Sequence, residues 1–292
     1  MALIDMSETF QMTNPGAHID ATDVYNSNDN LLDNAYFVGG GSQLGDGIFP
    51  INQRGQTSYG GGGTTNVDRW WTQYDTATTL TSAGMRMTGK WDVDQRLPQV
   101  LPSGTYTFSV NVVSLGSTGA ILQFLDENYQ QLATAPLNNE GITSFTLTSD
   151  RIRGVGVNMA KPDGSGDITF ASMKLEKGTV STLANDVPPD FGEELRKCKR
   201  YLRYVPLTRT PAVISGNAAV VTLNDIEMAG VPTQALISAG GARDAGGMQS
   251  ITSVTVTGFT YNTPTVQFAL AGNLNYVIGY VYDTVIRLSC EL

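Results

Sequence analysis

The sequence predicts an all-β protein: a jelly-roll β-sandwich, then a second small β-rich domain, behind a short N-terminal anchor. Three observations lead there. The 292 residues hold 32 glycines but only 15% charged residues, a composition that suits many turns between strands of Val, Ile, Thr, Tyr and Phe. Residues 105–112 alternate without a break, with Tyr106, Phe108, Val110 and Val112 on one face and Thr105, Thr107, Ser109 and Asn111 on the other. That is the period of a half-buried strand. Further short apolar runs recur with turn signals such as Pro102-Ser103-Gly104 between them, and no fixed-period repeat points to a β-helix or propeller.

Residues 1–29 are polar, carry Pro15 and Gly16, and show no period. Such a segment has little to bury alone and is expected either to order on a partner, as an anchor, or to be a frayed terminus. The jelly-roll domain is expected over 30–180. It opens on Leu31, Leu32, Ala35, Tyr36 and Phe37, passes glycine clusters at 39–41 and 60–63, and reaches Asp68-Arg69-Trp70-Trp71. Glycine at that density does not suit a helix interior. Strands are predicted over 84–93, 105–112, 120–125, 142–147, 152–159 and 168–175.

Residues 181–200 read as linker and short helix. Pro188-Pro189 makes a stiff hinge, and 191–200 places acids first and bases last, as the helix dipole prefers. The last domain, 201–292, is expected to be the tip and the trimerisation unit, with strands over 213–223, 251–261, 265–270 and 275–290. Its glycine-rich stretch 238–247 is expected at an exposed tip. In the final strand Tyr276, Ile278, Tyr280, Tyr282, Ile286 and Leu288 share one face. Val277, Val281 and Val285 share the other. An apolar stripe on a second face needs a cover, so these three valines are the candidate oligomer contacts.

A net charge of −9 and a pI near 4.6 argue against a nucleic-acid surface, which needs a basic face. The basic run Arg196-Lys197-Cys198-Lys199-Arg200 reads as a solvated helix face. The start, MALIDMSETF, lacks a cationic region followed by an apolar core, and no apolar run approaches a membrane span, so a soluble chain made in a cytoplasm is expected. Cys198 and Cys290 are expected to be free thiols.

The single histidine, His18, excludes a Ser-His-Asp or Cys-His site in the folded body. Gly84–Lys90 matches most of a phosphate-binding P-loop, but Trp91 stands where a Mg²⁺-binding hydroxyl belongs. Asp92 with Asp94 and Asp126 with Glu127 are the carboxylate pairs a glycosidase would need. Acids on strand edges and turns are usually just solvated, so no enzymatic activity is expected. Sugar rings stack their C–H faces on aromatic side chains. Trp70 is expected in the core, while Trp71 and Tyr74, beside Asp68, are the candidate carbohydrate contacts.

Three elements in the opening, Asn30-Leu31-Leu32-Asp33-Asn34, Ile51-Asn52-Gln53-Arg54-Gly55 and Asp68-Arg69-Trp70, resemble the start of a family of phage virion proteins. A second block, Met173–Gly178 followed by Ser181–Asp190 and then Cys198-Lys199-Arg200-Tyr201, resembles the exit of the same domain. These are tail-fibre, receptor-binding or head-fibre chains with a carbohydrate-binding-module-like jelly roll. The resemblance covers roughly 30–72 and 173–204. It implies a non-enzymatic virion surface protein, assembled in the host cytoplasm, whose N-terminal segment is the anchor and meets other virion proteins. It also implies a homotrimer that contacts a host cell-surface glycan. Jelly rolls of this kind often carry structural Ca²⁺, for which Asp33 and Asp167 are the candidate ligands; no other cofactor is implied. A capsid head fibre or decoration protein, a polysaccharide depolymerase and a free carbohydrate-binding module remain open as alternatives.

Overall fold

The computed structural model describes residues 30–38, 50–60, 64–116, 120–159, 165–260 and 263–291. The expected anchor over 1–29 lies outside them. Strands are numbered in chain order. Two six-stranded antiparallel sheets form the first domain. The first sheet runs β1 (Ser58–Tyr59), β4 (Ala77–Thr81), β5 (Gly84–Gly89), β12 (Gly166–Lys177), β7 (Gly104–Leu115), β10 (Gly141–Ser149). The second runs β2 (Thr64–Thr65), β3 (Trp71–Thr72), β6 (Asp92–Arg96), β11 (Gly154–Asn158), β8 (Ala120–Leu125), β9 (Gln131–Leu137).

The alternating residues of β7 do what their period requires. Tyr106, Phe108, Val110 and Val112 are buried between the sheets, and Phe108 meets Phe124 of β8 edge-on at 6.4 Å. Full burial of a phenylalanine contributes roughly 2–3 kcal/mol. The polar side of β7 is covered too. The chain leaving β12 crosses it, with Thr107 Oγ1 donating to the Gly178 carbonyl at 2.8 Å and Ser109 Oγ to Ser181 Oγ at 2.7 Å. That crossing also buries Lys174, whose ammonium lies 3.1 Å from Asp186 and 2.9 Å from Thr182 Oγ1.

Helix α1 (Phe191–Lys199) follows the prolines. Asp190 caps it by accepting from the Glu193 amide, and Glu193 and Glu194 occupy its first turn, both favourable at a helix N-terminus. The second domain then forms a three-stranded sheet, β13 (Leu202–Leu207), β21 (Thr284–Ser289), β16 (Thr233–Ser238). Beside it stands a closed barrel of β14 (Thr210–Ser215), β15 (Ala218–Thr222), β19 (Thr263–Leu270), β18 (Met248–Thr260), β17 (Gly241–Arg243) and β20 (Ile278–Tyr282). Closure gives this small core a wall without a free edge.

Four expectations need correction. The run 84–93 is two strands in different sheets, because Gly89 turns at φ +122 where a Cβ would collide with the Asp75 carbonyl. The run 213–223 is a hairpin that reverses at Gly216 (φ 59). Only part of the stretch 238–247 is an exposed loop: Gly241–Arg243 is strand β17, whose Ala242 is buried in the barrel wall, while 245–247 are exposed. A Cβ on Gly240 would strike the Tyr282 carbonyl, so glycine lets two backbones touch there. Just after β17, Asp244 accepts from the amides of Gly246, Gly247, Asn275 and Tyr276, tying two turns together.

The fourth correction concerns the last strand. It breaks at Asp283, a non-glycine residue at φ 48, and the side chains change parity there. Val281 points into the barrel and is 0% exposed, whereas Ile286 and Leu288, two strands' worth of alternation later, are also buried. Val277, Val281 and Val285 therefore form no common stripe. Val277 is 67% exposed and its neighbour Ile278 76%, while Val285 is half-buried.

Candidate functional site

In the second sheet Trp71 of β3 lies opposite Asp94 of β6, Asp94 opposite Gly156 of β11, Gly156 opposite Gln123 of β8, and Gln123 opposite Thr134 of β9. Cross-strand partners share a face. The residues that alternate with them, Val93, Val155, Val157, Leu122 and Phe124, fill the core. The row from Trp71 to Thr134 is therefore on the face turned away from the first sheet, and Asp92 and Arg96 flank Asp94 on that face. At 156 a Cβ would come within 2.7 Å of the Asp94 Cβ. Glycine there leaves a flat floor between Asp94 and Gln123.

This outer face is sunk rather than open: Asp94 is 2% exposed. The Arg96 guanidinium lies 3.8 Å from the Trp71 ring centroid and 4.7 Å from that of Tyr129, and its Nε is 3.6 Å from Asp94 Oδ1. Gln123 Nε2 donates to Asp92 Oδ2 at 2.9 Å. Among the buried polar atoms on this face, Asp92 Oδ1 and Tyr129 Oη have no hydrogen-bond partner, and Asp94 Oδ1 and Arg96 Nε meet only each other, as an ion pair at 3.6 Å. Each such atom costs about 1–3 kcal/mol while unmet. Burial pushes the Asp92 carboxyl up. Burial, and then the charge of Asp92, push Asp94 well above the usual carboxylate range against the pull of Arg96. The face thus presents an aromatic ring, two carboxyls, an amide and a guanidinium, with hydrogen-bonding capacity unspent.

Of the predicted carbohydrate contacts, Trp71 belongs to this row. Tyr74 is 65% exposed and stands on the turn before β4 at φ 25, with no place in it. Asp68 is a correction. It is buried apart from this row, and both of its carboxylate oxygens are taken up inside the fold, accepting from Arg54 Nη1 at 2.9 Å and from the Gln53 amide at 3.2 Å. Trp70 is in the core as expected, its Nε1 donating to the Asn34 carbonyl at 2.8 Å and its ring edge-on to Phe37 at 5.4 Å.

The calcium candidates do not fit that ion. Asp33 accepts from Arg69 Nε at 3.0 Å, and both oxygens of Asp167 accept from Arg86 at 2.9 and 2.6 Å. Each carboxylate is committed to its own arginine, and among the described residues no group of three or more His, Cys, Asp or Glu could hold a metal. Asp126 and Glu127 share Arg151 at 3.2 and 3.1 Å. Asp126 also accepts from the amides of Asn128 and Gln130, so it is a turn former. Gly84–Gly89 is strand with no helix after it, which removes the P-loop reading. Cys198 and Cys290 are unpaired thiols. Among the described residues no helix is long and apolar enough to cross a membrane.

No family model matches the chain, and no curated protein does either. Several solved structures resemble it weakly, including two from Paenibacillus. One is the N-terminal CBM22-1-CBM22-2 tandem domain of Paenibacillus barcinonensis Xyn10C, at 9% identity over 90% of this chain and 98% of that one, TM-score 0.28. The other is a cycloisomaltooligosaccharide glucanotransferase of Paenibacillus sp. complexed with cycloisomaltoheptaose, at 10% identity over 73% of this chain and 42% of that one, TM-score 0.22. At these scores neither likeness bears on the site.

Sequence reasoning reached Trp71, Asp92 and Asp94 separately but missed Gln123, Arg96 and Tyr129. A usable signal existed for Gln123, the one polar residue in the run Ala-Ile-Leu-Gln-Phe-Leu over 120–125. Nothing local marks Arg96 or Tyr129, which join the face only through packing.

Proposed function

We propose that the chain is a non-enzymatic glycan-binding protein of a virion surface, and that the outer face of the second sheet is its binding face. One observation carries the reading: the row Trp71–Asp94–Gly156–Gln123, with buried polar atoms beside it that lack partners. A saccharide supplies what such a face lacks. Its C–H face suits the indole ring of Trp71, and its hydroxyls would meet a polar floor of carboxyl, amide and guanidinium groups beside that ring. The fibre-like elements at 30–34, 51–55 and 68–70 support placing the protein on a virion, with the N-terminal segment toward other virion proteins. Assembly as a homotrimer through the C-terminal domain belongs to the same reading. The exposed apolar run Tyr276-Val277-Ile278, opposite Val213, supports it.

A polysaccharide depolymerase is the second reading, favoured by Asp92 and Asp94 sharing one face with both carboxyls shifted upward. Affinity electrophoresis of the full chain in host-surface polysaccharides separates the two. Glycan binding predicts retention that Trp71→Ala and Gln123→Ala each weaken by roughly tenfold with no release of reducing ends. Retention unaltered in both variants removes the binding face. Reducing ends released by wild type and abolished in Asp94→Asn replace binding with hydrolysis.

A further inference from the structure

The basic run at 196–200 is solvated, as expected, but divides between two sides of the helix. Lys197 turns toward the sandwich side and pairs with Glu194 at 3.2 Å. Arg196, Lys199 and Arg200 turn the other way, and Arg203 of β13 joins them from the second domain. The four line a cavity of about 180 Å³ together with Glu227. Glu227 is the only acid in that lining, 3.0 Å from Arg200 Nε and 3.9 Å from Arg196 Nη1. Lys199 and Arg203 have no acid within ion-pair distance among the described residues. Four cations face one carboxylate in a chain whose net charge is −9.

The helix dipole accounts for bases in the last turn of α1. It does not account for Arg203, which stands on a strand of another domain and converges on the same cavity. Like charges gathered in this way repel one another, and a bound anion relieves the repulsion. Guanidinium forks and an ammonium match the oxygens of a tetrahedral oxyanion. The cavity is sized for such a group and not for a nucleic-acid groove, which needs an extended basic stripe that this acidic chain lacks.

We propose that the cleft between α1 and β13 is an oxyanion site that takes a phosphate or sulfate group; that the group is borne on a saccharide or polyol polymer rests on the glycan-binding reading above. It shares no residue with the outer face of the second sheet, so either site can fail while the other stands.

The test is titration of the full chain with sodium phosphate and sodium sulfate at constant ionic strength, followed by calorimetry or amide chemical shifts. Sodium acetate serves as the planar control. Saturable binding of phosphate or sulfate is expected, weakened about tenfold or more by Lys199→Gln with Arg203→Gln and strengthened severalfold by Glu227→Gln, which removes the competing carboxylate. Trp71→Ala is expected to leave it unchanged. Lys199→Gln alone, a half-buried helix position, gives the same direction should the double variant melt early. A polyol-phosphate polymer and a sulfated polysaccharide then identify the carrier, the preferred one binding more tightly than its free ion. Absence of saturable phosphate or sulfate binding overturns the site, as does wild-type affinity in the Lys199 and Arg203 variants. A single-stranded oligonucleotide bound more tightly than either polymer overturns the saccharide assignment.

Discussion

The Arg69 guanidinium lies 3.6 Å from the ring centroid of Tyr201. That contact joins the Asp68-Arg69-Trp70 element of the sandwich to the Cys198-Lys199-Arg200-Tyr201 element beyond the helix. Around it Arg54 pairs with Asp68 and with Glu291, the Asn34 amide donates to the Glu194 carboxylate, and the Cys290 amide donates to the Tyr201 carbonyl. Asn34, Arg54, Asp68 and Arg69 of the sandwich thus meet Glu194, Tyr201, Cys290 and Glu291 at the domain junction. They hold the two domains together rather than build a sugar site.

Arg69→Ala tests that junction. It leaves Asp33 without its partner and uncovers Tyr201. Breaking a largely buried ion pair from one side costs roughly 3–5 kcal/mol, with Asp33's partial exposure favouring the low end. Calorimetry is expected to show a lower Tm and a second transition as the C-terminal domain separates from the sandwich. One transition at the wild-type Tm would show that the domains are joined elsewhere.

The pH dependence of the same cluster has a definite sign. Burial pushes the Asp68 carboxyl up to about 7 from an ordinary 3.8, although Arg54 pulls it down; Glu291 adds to the rise. The folded chain therefore keeps a proton there that the unfolded chain releases near pH 4. The stability this contributes is full below about pH 4 and lost as pH rises through about 7. Comparing urea-unfolding free energies of wild type and Asp68→Asn across pH 4–8, the variant's curve is expected to be flatter. Parallel curves would place the proton on another group.

The two adjacent tryptophans should behave oppositely. Trp70→Ala empties a fully buried site and is expected to destabilise by about 3–5 kcal/mol, read as a lower denaturation midpoint. Trp71→Ala is expected to leave that midpoint almost unmoved and to weaken glycan retention by roughly tenfold. Equal losses of stability would mean that Trp71 serves the fold.

Ile278→Asp tests assembly. Sedimentation of the wild type is expected to give three times the chain mass, and the variant one chain mass, because a carboxylate replaces the most exposed apolar side chain beside Val277 and Val213. A monomeric wild type refutes the trimer. A variant that stays trimeric moves the contact away from this stripe.

Local sequence determined much of this protein by itself. The period of two over 105–112 named the buried side of β7, the apolar run 120–125 coincided with β8, and acids before bases placed α1 within a residue of its observed ends. These are short-range effects, settled by neighbours along the chain. Tertiary structure alone decided where strands change sheet, at Gly89 and Asp283, because a positive φ there is enforced by backbones that arrive from elsewhere. It decided that Asp68 is buried, since Glu291, which shares Arg54 with it, comes from the far end of the chain. It also decided the binding face. Alternation says which side chains of one strand lie together, but not which strand lies next to it. A shift of one residue sends every side chain to the opposite face. Trp71, Asp94, Gly156 and Gln123 become neighbours only through the register of four separate strands.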